Sequence, residues 1–119
     1  MQQSHRIVVI GAGAAGLNVA ARLRRVAPQH TVTLVEPALH HYYQPLWTFV
    51  GGGVFPRERS RRDMRELIPD GVRWVRDAAR EFKPEENLVV TQGGESLGYD
   101  ALVVAPGIQI NWQIGRAHV

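Results

Sequence analysis

The stretch Arg6-Ile7-Val8-Val9-Ile10-Gly11-Ala12-Gly13-Ala14-Ala15-Gly16 decides the fold. Four β-branched residues in succession, Ile7 to Ile10, predict a strand covered on both faces, as in a parallel sheet. The glycines after it stand at G-x-G-x-x-G spacing, and Leu17-Asn18-Val19-Ala20-Ala21-Arg22-Leu23 then opens a helix. The three glycines serve different ends. Gly11 makes the tight turn, Gly13 lets backbone approach a pyrophosphate, and Gly16 lets the helix pack closely on the strand. The helix N-terminus offers unpaired N–H groups and the positive end of a dipole to the phosphates. Alone, the spacing also suits an ordinary strand-to-helix turn. The next element favours the nucleotide reading. Thr31-Val32-Thr33-Leu34-Val35 is a second strand that ends on Glu36, about 20 residues past Gly16, where a ribose-binding acid belongs. A carboxylate there accepts hydrogen bonds from ribose hydroxyls and repels a 2′-phosphate; the plainer alternative is a solvated strand end. The opening reads as a βαβ unit for an adenine dinucleotide.

Composition sets the outer bounds. At 119 residues the chain is one domain or a piece of one, and 45% hydrophobic residues are normal for a fold with a buried core. It has no cysteine, which excludes disulfides, thiolate chemistry and cysteine metal sites within it. The +3 charge comes from 14 basic and 11 acidic residues, with no basic block interleaved with aromatics, so nucleic acid is set aside as a partner. The apolar run from Ile7 to Leu17 resembles a signal-peptide core, but its glycines fall at nucleotide-binding spacing and no cleavage segment follows. No run is long enough to span a bilayer. The segment before Arg6 is too short for a transit peptide, so the default is a bacterial protein facing the cytoplasm.

Farther along, the first helix is predicted over about Ala14 to Val26, stopped by Pro28, with Leu17, Ala20, Ala21 and Leu23 towards the sheet. Arg22, Arg24 and Arg25 lie near its C-terminal end, where the dipole favours cations. Leu39 to Gly53 is rich in aromatics, lacks strand alternation and ends in a glycine run. It is read either as a loop lying over a ligand or partner, or as a short core helix from Leu46 to Val50. His40 and His41 have no partner at ligand spacing, so no metal site is assigned. In Pro56 to Asp63 the arginines face solvent or lipid headgroups. Ser60 and Asp63 form a capping pair for a short helix that buries Met64, Leu67 and Ile68. Val72 to Val75, Ala78 to Phe82 and Leu88 to Thr91 are read as strands of an antiparallel meander, with turns at Pro84 to Asn87 and at Gly93-Gly94. Tyr99 to Val104 is a further hydrophobic strand, and Ala105-Pro106-Gly107 closes it in a turn that lets backbone pass close to a flat ligand.

A βαβ unit with G-x-G-x-x-G, a three-stranded meander and a strand ending in Ala-x-Gly resemble the FAD domain of the two-dinucleotide-fold flavoproteins. The fold class is therefore α/β, a Rossmann-like FAD-binding βαβ unit with an antiparallel meander, truncated. Glu36-Pro37 followed by His41-Tyr42-Tyr43-Gln44-Pro45-Leu46-Trp47-Thr48-Phe49-Val50-Gly51-Gly52-Gly53 resembles the sulfide:quinone oxidoreductases, and Gly71-Val72-Arg73-Trp74 and Pro106-Gly107-Ile108-Gln109 extend the likeness. The resemblance covers about Ile7 to Trp112. It implies that Gly11, Gly13 and Gly16 belong to the cofactor-binding turn, that Ala14 and Ala15 meet the FAD pyrophosphate, and that Glu36 holds the adenosine ribose. It also implies that Gln44 and Pro45 lie against the flavin, that Ala79 backbone contacts adenine, and that Ala105, Gly107 and Ile108 line the cofactor. Pro106 departs from the Thr or Leu that relatives often carry. The family reaction passes electrons from sulfide, through a pair of redox cysteines and FAD, to a membrane quinone. In relatives those cysteines lie beyond residue 119, so this part alone is expected to be inactive, and a later part would make the peripheral contact with the bacterial cytoplasmic membrane. Neighbouring readings are an FAD-dependent NADH:quinone reductase, a flavocytochrome sulfide dehydrogenase subunit, or a small NAD-binding sensor module without catalysis.

The ending Ile114-Gly115-Arg116-Ala117-His118-Val119 does not continue the family pattern. It matches the translation of ATC GGA AGA GCA CAC GTC, a frame of a widely used sequencing adapter. Residues 1–113 are therefore expected to be the N-terminal part of an FAD/NAD(P)-binding domain, and residues 114–119 a non-native tail.

Overall fold

The computed structural model describes residues 3–42 and 61–105. A parallel four-stranded sheet forms its centre, built from β1 (Arg6–Ile10), β2 (Thr31–Val35), β5 (Arg73–Val75) and β9 (Ala101–Val104). Their order across the sheet is β5-β2-β1-β9. Between β1 and β2 the chain runs through α1 (Ala14–Val26). Between β2 and β5 lie β3 (His40–Tyr42), β4 (Arg61–Asp63) and the single turn α2 (Met64–Leu67). The segments β6 (Ala79–Lys83), β7 (Leu88–Thr91) and β8 (Ser96–Gly98) form an antiparallel sheet of their own.

The apolar run of β1 is buried along its length because each face of the central sheet has a cover. On one face Ile7, Val9, Val32 and Leu34 pack with Ala20 of α1 and with Met64 of α2. On the other face Val8, Ile10, Val35 and Val75 pack with Val89, Leu97 and Tyr99 from the meander side. Burying one such side chain stabilises by about 1.5–3 kcal/mol. The helix spans the residues predicted for it, and its last turn carries Arg24 and Arg25. Its buried stripe differs by one position: Gly16 and Ala20 are buried, whereas Ala21 is exposed. Residue 21 stands about 100° round the helix from Ala20, which is enough to leave the seam.

Three expectations need correction. Val72 to Val75 does not join the meander; β5 pairs in parallel with β2, Thr33 opposite Arg73 and Val35 opposite Val75. The third meander strand is Ser96–Gly98, which pairs antiparallel with β7. His40–Tyr42, read as part of a loop, is a strand paired antiparallel with Arg61–Asp63. The cap of α2 is Asp63 itself, whose carboxylate accepts the Arg65 N–H at 3.0 Å. Ser60, the other half of the expected pair, lies outside the described residues, as does the alternative helix over Leu46 to Val50.

Two aspartates tie these layers. Asp100 accepts the Arg6 backbone N–H at 2.7 Å and joins the start of β9 to the start of β1. Asp77 accepts from Gly93 N–H and Ala78 N–H, both at 2.8 Å, and joins the meander entry to the β7–β8 turn. The Gly93 amide, then that of Ala78, holds the Asp77 carboxyl below its ordinary value of 3.8, and the Arg6 amide does the same for Asp100. A depressed carboxyl contributes stability that is present above the unfolded value and lost as pH falls through the folded one. Asp77→Asn should therefore lower the unfolding temperature at neutral pH, with the gap to wild type closing below pH 3.8. Thermal melts across pH read this directly, and a gap independent of pH would contradict it.

Candidate nucleotide site

Because all four central strands run the same way, their carboxyl ends form one row. Ile10 stands opposite Val35 and Val104, and Val35 stands opposite Val75. The residues that follow are Gly11, Glu36, Arg76 and Ala105, so three of the sequence-predicted positions, Gly11, Glu36 and Ala105, stand on one edge of the sheet. Open α/β sheets bind ligands at that edge.

At its centre Gly11 turns the chain with φ of +98°, a conformation that L side chains rarely adopt. Its N–H donates to Val35 O at 2.9 Å, carrying the β1–β2 ladder one step past the strands. A Cβ on Gly16 would collide with the Gly11 carbonyl, so α1 starts directly against the turn. Gly13 is the N-cap and its side-chain direction is open: a Cβ there meets nothing within 4 Å. No side chain caps the helix and its first turn has no acid. Gly13, Ala14 and Ala15 are exposed there, so the N–H groups that the helix leaves without intrahelical partners are open to a ligand. An open cradle at Gly13 beneath an uncapped helix fits the pyrophosphate of a nucleotide cofactor.

Glu36 closes one side. Its Oε1 accepts the Ala12 N–H at 2.8 Å and its Oε2 accepts the Ala38 N–H at 3.0 Å. Its backbone N–H donates to Val75 O at 3.0 Å, and its carbonyl accepts the Trp74 indole N–H at 2.9 Å. The carboxylate is thus held beside the glycine turn by neutral donors, with lone pairs left for hydroxyls.

On the far side Ala105 N–H donates to Ile10 O at 2.7 Å, which brings the end of β9 against the turn. Ala79 opens β6, half-buried against the core on the meander face, beyond the end of β5. Gln44, Pro45, Gly107 and Ile108 lie outside the described residues. Sequence reasoning missed the amides of Ala12 and Ala38 and the indole of Trp74. Ala12 sits inside the glycine motif and was within reach, whereas Trp74 carries no local signal. A cleft of about 290 Å³ lined by Arg6, Thr31, Thr33, Arg73 and Leu97 lies at the amino ends of the strands, away from this row.

Residues 5–113 match the family model described as pyridine nucleotide-disulphide oxidoreductase. The mitochondrial sulfide:quinone oxidoreductase of Dictyostelium discoideum is 47% identical over 108 residues, covering 90% of this chain and 24% of that protein. The mitochondrial enzyme of Mus musculus is 38% identical over 109 residues, covering 92% and 24%. The crystal structure of the sulfide:quinone oxidoreductase from Aquifex aeolicus superposes with a TM-score of 0.79 at 25% identity, covering 90% of this chain and 25% of that one. The chain therefore spans about a quarter of the length of these relatives. The expected bacterial location is corrected here, because the Dictyostelium and mouse relatives are mitochondrial and eukaryotic. That expectation rested on the few residues before Arg6, which do not distinguish the two settings. No helix among the described residues is long and apolar enough to cross a membrane.

Proposed function

The chain belongs to the pyridine nucleotide-disulphide oxidoreductase family, and from that premise we propose that it is the N-terminal, FAD-binding part of a sulfide:quinone oxidoreductase. One combination carries this reading. A glycine turn open at Gly13 occurs in a chain 47% identical over 108 residues to a sulfide:quinone oxidoreductase. The N–H groups of the first turn of α1 bind the FAD pyrophosphate, Gly11 shapes that turn and Gly16 seats the helix against it. Glu36 accepts from the adenosine ribose. Ala79 backbone meets adenine, while Ala105, Gly107, Ile108, Gln44 and Pro45 line the rest of the cofactor. When bound, FAD supplies a two-electron acceptor between sulfide and quinone.

This chain contributes binding and orientation only. It has no cysteine, so in this reading the redox pair belongs to the remainder of the protein, to which the contact with the quinone-bearing membrane is also assigned. In the same reading residues 1–113 are the native part of the domain and residues 114–119 a foreign tail.

The test is to express the complete reading frame that contains residues 1–113 and to assay sulfide-dependent reduction of a soluble quinone. The expected protein co-purifies with FAD, carries two cysteines beyond this region, and loses activity when either is replaced by serine. A flavoprotein that reduces quinone with NADH and ignores sulfide would overturn the assignment.

A further inference from the structure

Four hydrogen bonds hold Glu36, and one of them comes from a side chain with no assigned role. The β2–β5 ladder ends at Val35 opposite Val75. There Val75 O accepts both Glu36 N–H at 3.0 Å and Asp77 N–H at 2.9 Å, as the chain turns away. The carbonyl of Glu36 is left without a strand partner, and the Trp74 indole N–H supplies one at 2.9 Å. Trp74 pairs with Leu34 in the register and packs against the same buried cluster as α1, as Ile68 and Val72 also do. A ring anchored on that face has little freedom, so its N–H is a fixed donor.

We propose that Trp74 is a positioning residue for the cofactor: by locking the Glu36 peptide, its indole N–H sets the Glu36 carboxylate at the ribose position before the cofactor arrives. The proposal rests on the reading of this edge as an FAD site. Without the indole bond the Glu36 carbonyl loses its partner and the Glu36–Pro37 peptide gains freedom to turn, so the carboxylate is held less closely in register with the Ala12 and Ala38 amides. Ordering it again falls on binding, which weakens affinity. A single neutral hydrogen bond sets the scale at about fivefold to tenfold in dissociation constant.

The experiment uses the full-length flavoprotein, stripped of flavin and titrated with FAD. Replacing Trp74 by 3-benzothienylalanine exchanges the indole N–H for sulfur in the same bicyclic shape, and Trp74→Phe removes the donor with standard residues. FAD affinity should fall about fivefold to tenfold in the benzothienyl protein. Glu36→Gln should weaken binding at least as much, and combining the two should cost no more than Glu36→Gln alone, because Trp74 acts through Glu36. Val72→Ala perturbs the same core without touching Glu36 and should leave FAD affinity unchanged even where it lowers the unfolding temperature. Unchanged affinity in the benzothienyl protein overturns the proposal, and so do additive losses or an equal loss in Val72→Ala. If Trp74→Phe fails to fold, the benzothienyl protein decides. An unmodified protein that binds no FAD sinks the underlying reading instead, which keeps the two failures distinct.

Discussion

Gly16→Ala should cost at least about 3 kcal/mol of stability, the upper end for overpacking, because the atoms in its way are backbone. A Cβ at this position would overlap the Gly11 carbonyl oxygen and stand 2.9 Å from the carbonyl carbon. The Gly11 carbonyl is not free to swing aside, since it shares a peptide plane with the Ala12 N–H, which is bonded to Glu36 Oε1 at 2.8 Å. Relief requires sliding α1 off β1, which opens the contact between Ala20 and the buried strand residues Val9 and Leu34. Native proteins have only about 5–15 kcal/mol in hand. Denaturant unfolding of the full-length variant measures the loss, and a variant within about 1 kcal/mol of wild type would mean that the helix start is not pinned by this contact.

Gly13→Ala should do the opposite: leave the fold intact and remove the cofactor. At φ −70° and ψ −172° the residue has a conformation open to any L amino acid, and the added Cβ meets nothing within 4 Å. As an N-cap, alanine is poorer than glycine by only about 1 kcal/mol or less. The space the methyl enters is the one proposed for the pyrophosphate, so FAD affinity should drop at least about tenfold, or about 1.4 kcal/mol. Measured side by side, one glycine loses stability and the other loses flavin. Should Gly13→Ala bind FAD as tightly as wild type, the phosphates do not pass over this turn.

The contrast shows what is legible in the sequence. Continuous apolar runs bounded by Gly11 and Pro28 place β1, α1 and β2 without ambiguity, since burial on both faces and a helix stop each leave a local mark. The glycine spacing and the distance to Glu36 are equally local, and they point to the sheet edge proposed for the cofactor. What escaped was pairing. Arg73–Val75 is only three residues long, and so short a strand records nothing of its neighbour. Its place beside β2 depends on how the chain returns from β3, β4 and α2. The role of Trp74 follows from that register and was hidden with it. Ser96–Gly98 is a strand with one buried apolar side chain, Leu97, too little for alternation to reveal. The exposure of Ala21 is an error of one position, set by side-chain direction rather than by composition.

The place of β1 in the sheet also bears on how the chain is made. One neighbour, β2, follows within a few dozen residues, but the other is β9, with Ile7 paired to Ala101. Roughly sixty residues separate Val35 from Ala101, and a ribosome adds about 5–20 residues per second. For several seconds of synthesis β1, with four apolar residues in succession, has one ladder edge open to solvent and no means within itself to close it. The meander that shields its lower face is also still being made. A nascent chain in that state exposes a strand edge to neighbouring chains, so mispairing at that edge is open to this sequence until β9 is made.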